Sequence, residues 1–380
     1  MNDPILLHAG FDNFDLAYNT QIGADLQKVL AVAKVAAMEE RRAQPVTFGG
    51  HTFMVEGHGG RGGYAYSVDT GELGANWWFK EPRTARDPWG VRASSRALPL
   101  AVHGIEHVKQ AMDQFLTDLG MTFEEVDRRI SRLDYALDFL LPGFSIEPEN
   151  FVSHARRTKS ISGEFSQKQR GTVTNGILIG KMPNAEICIY DKRREVIDKR
   201  RPYWWEIWEK RASEAGVALS KDSEIWRFEF RAGRKAIDAL LRRRTWEAFT
   251  RNPAHIFRKL AFQTRLAEPS SDTNRARWPN ARIWDVCQRE LERISLDHDS
   301  DVDVSRIIAE LKAANLRTLE AQTVGLVLAQ AAAYGLNEGD LPTVLKQVGL
   351  DVEAALAGKV EGAGAFLVRR GGEFEARYGC

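Results

Sequence analysis

RISRLDYALDF, residues 129–139, alternates apolar with charged or small residues at a period of two, the pattern of a strand with one greasy and one polar face. Leu133, Tyr135, Leu137 and Phe139 share one side, and Arg132, Asp134, Ala136 and Asp138 share the other. Two further stretches repeat the pattern. In AEICIYDKRRE (185–195), Glu186, Cys188, Tyr190 and Lys192 lie together against Ile187 and Ile189 on the core side; in EIWRFEFRAGR (224–234), Arg227, Glu229 and Arg231 oppose Trp226, Phe228 and Phe230. Three such segments side by side form a sheet with one charged face.

A sheet with one wet face gives the same alternation without any chemistry, so the choice of residues has to carry the argument. A tyrosine stands between a carboxylate and a lysine, with acidic residues on two other strands. That set suits attack on a phosphodiester, with tyrosine as nucleophile, carboxylates holding Mg²⁺ or Mn²⁺, and Lys or Arg offsetting phosphoryl charge. Asp134 and Asp138 are four residues apart, about 13 Å along a strand. One ion therefore reaches both only if the strand bends or another strand helps, and one of the two is the better ligand.

Working outward, GFDNFDLAY (10–18) reads as a first strand and DLQKVLAVAKVAAMEERR as a helix whose region Pro45 ends. The Gly- and aromatic-rich run from Val46 to Val91 reads as β-hairpins. GHGGRGG within it lacks the Lys-Ser/Thr of a phosphate-cradling loop and reads as turns. Val108, Met112, Phe115, Leu116 and Leu119 mark an amphipathic helix that Gly120 stops. Pro142-Gly143 closes the key strand, and residues 148–160 read as a polar helix or loop. GILIG and EICIYD form a hairpin through KMPNA, followed by a basic, aromatic helical segment (KRREVIDKRRPYWWEIWEKRASEAG). Helices resume near Ala236, a polar loop covers residues 268–280, and Ala- and Leu-rich helices follow the acidic linker LDHDSDVD (296–303). The expected class is α+β, a mainly antiparallel sheet with a charged catalytic face flanked by helices, plus a C-terminal helical module. The expected division is 1–295, a helical module at 304–358 and a peripheral tail at 359–380.

The net charge of +1 hides an asymmetry: −7 over residues 1–150, +14 over 151–282 and −6 over 283–380. A basic middle is what a polyanion-binding region shows, although solvated helix faces give the same composition. Cys188, Cys287 and Cys380 have no zinc-ligand spacing, and no disulfide is expected. With no basic-then-apolar leader and no long uncharged apolar run, the expected location is the cytoplasm, away from membranes.

The order GFDNFDL, RLDYALDF, a hairpin ending in IYDK, then WRFEFR resembles the replication initiation factors of rolling-circle plasmids and filamentous phages and the related conjugative relaxases, over roughly residues 8–285. The resemblance implies a metal-dependent, strand-specific DNA nickase that cuts with a tyrosine, stays joined to the 5′ end and later rejoins it. Tyr190 matches that tyrosine, while Asp134 and Asp12 match acidic metal-site residues for Mg²⁺ or Mn²⁺. Asp138 and Glu229 are further ligand candidates, and Lys192 and Arg227 candidates for stabilising phosphoryl charge. Candidate DNA contacts are Arg132, Arg193, Arg194, Arg200, Arg201, Arg231 and Arg234. The implied partners are origin DNA and a second copy of the chain. The C-terminal helices read as a packing or self-association module, with docking to a host helicase as another use. A relaxase nicking an origin of transfer shares the chemistry. A non-catalytic DNA-binding regulator is the rival from another class, and would tolerate Tyr190→Phe. This sequence has Asp after the tyrosine where some relatives have Asn or Glu, and shows no N-terminal helix-turn-helix pattern.

Other strings carry less. No His-hydrophobic-His pair is present, and HGIEH (103–107) formally matches a metalloprotease string whose helix Gly104 weakens. Tyr203, Trp204, Trp205 and Trp208 read as a helix packing stripe, with basic neighbours that permit a DNA-facing role.

Overall fold

The apolar halves of the three alternating segments meet in one core. Leu133, Leu137, Phe139, Ile187, Ile189, Phe228 and Phe230 are all fully buried, and burying each such side chain contributes about 1.5–3 kcal/mol over leaving it exposed. The computed structural model describes residues 3–82, 87–154, 165–167, 172–174, 176–298, 302–335, 338–358 and 362–378.

The N-terminal part runs β1 (Ile5–Tyr18), α1 (Ala24–Glu39), β2 (Gln44–Phe48), β3 (His51–Val55), β4 (Tyr64–Asp69), β5 (Ala75–Lys80), β6 (Val91–Ser95), α2 (Ala97–Asp118) and β7 (Arg128–Leu140). Next come the short β8 (Phe151–Ser153), β9 (Phe165–Gln167) and β10 (Thr172–Thr174), then β11 (Gly176–Lys181), β12 (Ala185–Asp191), α3 (Lys192–Asp198), α4 (Tyr203–Glu214) and β13 (Ile225–Gly233). The C-terminal part is α5 (Arg234–Leu241), α6 (Trp246–Thr250), α7 (Ala254–Gln263), β14 (Thr264–Leu266), α8 (Arg282–Glu292), α9 (Val304–Ala333), α10 (Leu341–Ala357) and α11 (Gly362–Tyr378).

Ten strands form one sheet in the order β11-β12-β13-β7-β1-β6-β5-β4-β3-β2, every neighbouring pair antiparallel. The fold is α+β with a large antiparallel sheet and a C-terminal helical region. Side chains of α6, α7 and α8, among them Phe249, Phe257 and Trp284, join the core of the apolar face. Trp204, Ile207 and Trp208 of α4 form a second core with Leu7, Leu140 and Ile225.

Several local readings shift. The first helix ends at Glu39, Arg41 takes a left-handed φ of 51°, and Pro45 lies inside edge strand β2, where a missing N–H is tolerated. The HGIEH histidines sit on α2 with ring centroids 4.8 Å apart, and Gly104 breaks the helix there with φ 75° and ψ 165°. Within the reading of 148–160, residues 148–150 form a single turn and 151–153 the strand β8; residues 155–160 lie outside the described ones. Cys188 and Cys287 are free and buried, and Cys380 lies outside the described residues. Among the described residues no helix is long and apolar enough to cross a membrane.

Helix α9 is anchored on α4 by buried Ile307 and by Arg306 Nη2, 2.8 Å from Glu206 Oε1. Farther along, Leu316, Leu326, Leu345 and Leu350 of α9 and α10 stand more than half exposed. The stretch read as a peripheral tail contains α11, which packs on β2 and β3 and buries Ala376 and Tyr378. The Glu72 backbone N–H donates to the Arg377 carbonyl at 2.9 Å, and Arg42 pairs with Glu373.

Candidate active site

Register turns the polar halves of four strands into a grid. Tyr190, Arg227, Asp138 and His8 form one row, Cys188, Glu229, Ala136 and Gly10 the next, and Glu186, Arg231, Asp134 and Asn13 the third. Opposite charges thus face each other across strands three times, Arg227 with Asp138 and Arg231 with both Asp134 and Glu186, an arrangement that favours this pairing. Asp12 joins the face through an irregularity. Phe11 and Phe14, three residues apart, would point to opposite sides of a regular strand, yet both are buried in the same core. A shift in the β1–β7 register between Phe11 and Asn13 allows this and turns Asp12 toward Arg227.

The first charge cluster is sealed. Arg227, fully buried, donates through Nε to Asp138 Oδ1 at 2.6 Å, through Nη2 to Asp138 Oδ2 at 2.8 Å, and through Nη1 to Asp12. Trp208 Nε1 gives Asp138 Oδ2 a further hydrogen bond of 2.8 Å. The Trp204 ring lies beneath both cations, 4.3 Å from Arg227 Cζ and 4.5 Å from Lys192 Nζ. Burial pushes the Asp138 carboxyl up, but Arg227, His8 and Lys192 outweigh it and hold the group below its ordinary value; Asp12 is held down in the same way. Both oxygens of Asp138 are therefore committed to Arg227 and Trp208. The expected ligand Asp138 is the counter-ion of Arg227 in this arrangement.

The second cluster reaches solvent through Arg132, Arg231 and Glu186, while Asp134 and Glu229 are buried. Arg132 straddles both oxygens of buried Asp134, and Arg231 donates to Glu229 at 2.8 and 2.9 Å while lying 3.5 Å from Glu186. Burial first, then the charge of Glu229, push the Asp134 carboxyl well above the usual range, with Arg132 and Arg231 opposing. Both oxygens of Asp134 are taken by Arg132 and both of Glu229 by Arg231, so a hard divalent cation between the two carboxylates would have to displace those guanidiniums. Among the described residues no three His, Cys, Asp or Glu side chains are arranged to hold an ion by themselves.

Tyr190 sits beside this pair. Its hydroxyl points at Glu229 Oε2 from 3.5 Å, the outer limit of a hydrogen bond. Burial, with Glu229, Asp12 and Glu195 adding to it against Arg227, pushes the phenol well above its usual value, so ionisation needs a base. The next residue, Asp191, caps α3 by accepting the Arg194 backbone N–H at 2.9 Å, which places Lys192 in the first turn of the helix. Lys192 is buried, pairs with Glu195 at 2.6 Å, and is lowered by burial and then Arg227. A groove of about 440 Å³ runs past Tyr190, Cys188 and Arg231 to Arg194 on α3 and Lys199 at its end, and is lined as well by Asp191, Glu195 and Asp198, with Lys199 3.0 Å from Glu195.

The remaining predicted arginines spread out. Arg193 donates to the Lys221 carbonyl at 3.0 Å, Arg194 lies 3.5 Å from Asp198, and Arg201 lies 3.0 Å from Glu195. Arg200 reaches away to Thr318 of α9, and Arg234 is exposed at the start of α5.

Reading the sequence did not single out His8, Trp208's N–H or Glu195 as members of the site. His8 has one signal, its place on the strand that carries Asp12. It is buried beside Asp138 and edge-on to Trp204, and burial, partly opposed by Asp138 and reinforced by Arg227, lowers it to about 4. Folded His8 stays neutral where an unfolded histidine, near 6.5, takes a proton. Stability is therefore complete above about pH 6.5 and falls as pH drops toward about 4, by about 2 kcal/mol between about pH 7 and pH 5. Urea unfolding of the wild type and His8→Asn at both pH values checks this: the variant should lose that part of the slope, and parallel behaviour would refute it.

No family model matches the chain, and no curated protein matches it. Among solved structures it is similar to the rolling circle replication initiator protein from Geobacillus stearothermophilus, at 15% identity and a TM-score of 0.40, covering 77% of this chain and 99% of that one.

Proposed function

We propose that the chain is a tyrosine DNA nickase of the kind that initiates rolling-circle replication. The observation that carries this reading is the Tyr190 hydroxyl aimed at the Glu229 carboxylate beside a groove of mixed charge that Arg231 lines next to the tyrosine. Tyr190 Oη attacks the scissile phosphorus and its proton passes to Glu229. The bond from phosphorus to the 3′ oxygen breaks, leaving the 5′ phosphate on the tyrosine and a 3′ hydroxyl protonated from solvent. Arg231, at the groove, stabilises the phosphoryl oxygens. Arg227 works indirectly, fixing Asp12 and Asp138 behind the nucleophile. Because the phosphotyrosine ester conserves the bond energy, the reverse step rejoins the strand without ATP.

With Arg132 and Arg231 displaced from their oxygens, Asp134 and Glu229 would hold a divalent ion, which when bound supplies further neutralisation of phosphoryl charge. Saturating Mn²⁺ should raise the melting temperature by about 3 °C or more, and Asp134→Asn or Glu229→Gln should abolish the rise. No shift in the wild type would remove the ion from the scheme.

The activity itself is tested by incubating the chain with Mn²⁺ and a supercoiled plasmid carrying its gene and flanking DNA. Open circles with protein covalently joined to a 5′ end support the reading. Nicks with free 5′ phosphates and no adduct would overturn it.

A further inference from the structure

Arg200, Arg201 and Arg317 line one cleft of about 400 Å³ between the α3–α4 junction and α9, together with Trp205 and Thr318. Among the described residues no carboxylate belongs to the lining, so three positive charges share one concave surface, which concentrates anions. Arg201 shares its charge with Glu195, but Arg200 donates to the neutral Thr318 hydroxyl at 2.9 Å and keeps its own. Its backbone takes a left-handed φ of 51°, uncommon for any residue but glycine, and this aims the side chain across the cleft at α9.

We propose that this cleft binds the phosphodiester backbone of single-stranded DNA, with phosphates on the arginines and a base against the Trp205 ring. The inference rests on the proposed function in taking DNA as the substrate. Its course follows from α3 and the residues just after it, which have the Tyr190 groove on one side, lined by Arg194 and Lys199 together with Glu195 and Asp198, and the cleft on the other, lined by Val196, Ile197 and Arg200. A strand leaving Tyr190 reaches the cleft by crossing one helix, about 10 Å. Glu195 touches both sites, with Oε2 2.6 Å from Lys192 and Oε1 3.0 Å from Arg201. Helix α9, which supplies Arg317 and Thr318, thereby becomes one jaw of a clamp on the displaced strand.

The test measures fluorescence anisotropy of a labelled oligothymidylate with the full chain over a range of salt. Arg317→Glu reverses one charge on the exposed side of α9, and Arg200→Gly removes another while suiting the left-handed backbone. Each should weaken binding about tenfold and lower the salt slope by about 0.7 for every phosphate that is no longer neutralised, with an unchanged melting temperature. Folded variants that bind the oligonucleotide like the wild type overturn the proposal. So does inorganic phosphate or ATP that binds in an Arg317-dependent way while oligothymidylate does not. If Arg317→Glu weakens the oligonucleotide but the wild type nicks nothing, the cleft stands and the nickase reading falls. If Tyr190-dependent nicking proceeds while both variants bind normally, the cleft alone falls.

Discussion

Tyr190→Phe should abolish nicking and the covalent 5′ adduct together, a loss of at least about a thousandfold in rate, as when a covalent nucleophile is removed from a working constellation. The substitution deletes one oxygen and little else. The phenyl ring keeps its place opposite Gly176, where a Cβ would stand only 3.0 Å from Tyr190 Cβ, and near Lys192, whose Nζ is 5.9 Å from the ring centre. The deleted hydroxyl makes one long hydrogen bond to Glu229, so stability should stay within about 1 kcal/mol of the wild type. DNA binding should persist, because Arg231 at the groove and the arginines of the α3–α9 cleft are untouched. Gel assays of open-circle product, protease-treated 5′ ends and oligonucleotide affinity separate the cases. Nicking that survives places the nucleophile elsewhere, and DNA binding without nicking in the wild type as well would favour a non-catalytic regulator.

Arg227→Met should have the largest effect on folding, about 3–5 kcal/mol of destabilisation, because it strips the counter-charge from buried Asp138 and from Asp12. That is a large part of the 5–15 kcal/mol typical of a native protein. The loss should depend on pH in a definite direction. In the wild type the depressed carboxyl of Asp138 contributes stability above the unfolded value near 4, and that contribution disappears as pH falls through the folded one. Without Arg227, burial raises the same carboxyl and makes its ionisation a penalty. The gap between wild type and variant should therefore widen from about pH 4 toward pH 7. Adding Asp138→Asn to Arg227→Met should recover part of the loss, since no buried charge is then left unpaired at that position. Urea unfolding of the three proteins at both pH values decides it; equal losses at both would show that packing against Trp204, not charge, carries the effect.

The sequence shows the parts of the charged face but not their pairing. Leu133 through Phe139, Ile187 and Ile189, and Phe228 and Phe230 disclose their sides because period two follows directly from strand geometry. The spacing of Asp134 and Asp138, about 13 Å, anticipates their division between two clusters for the same reason. Which arginine faces which carboxylate is a matter of register between distant strands, and no local pattern states that β13 lies between β12 and β7. The shift at Asp12 is equally silent, because an extra residue in a strand looks like any other until its partner is known. Trp208 reads as packing, and it does pack, but its N–H gains a meaning only when Asp138 is placed above it. The Gly- and Arg-containing C-terminal stretch reads as a tail because its composition gives no sign of the β2–β3 surface that receives it.

Helix α11 changes what the preceding helices are free to do. Because α9 is pinned on α4 and α11 on β2 and β3, the exposed leucines between them hang from two fixed points, not one. A tether secured at both ends sweeps a small volume, so these helices stay within reach of the sheet at the high effective concentration that short linkages create. A single break near the C-terminus would turn the strap into a flail, with the same residues searching a far larger space.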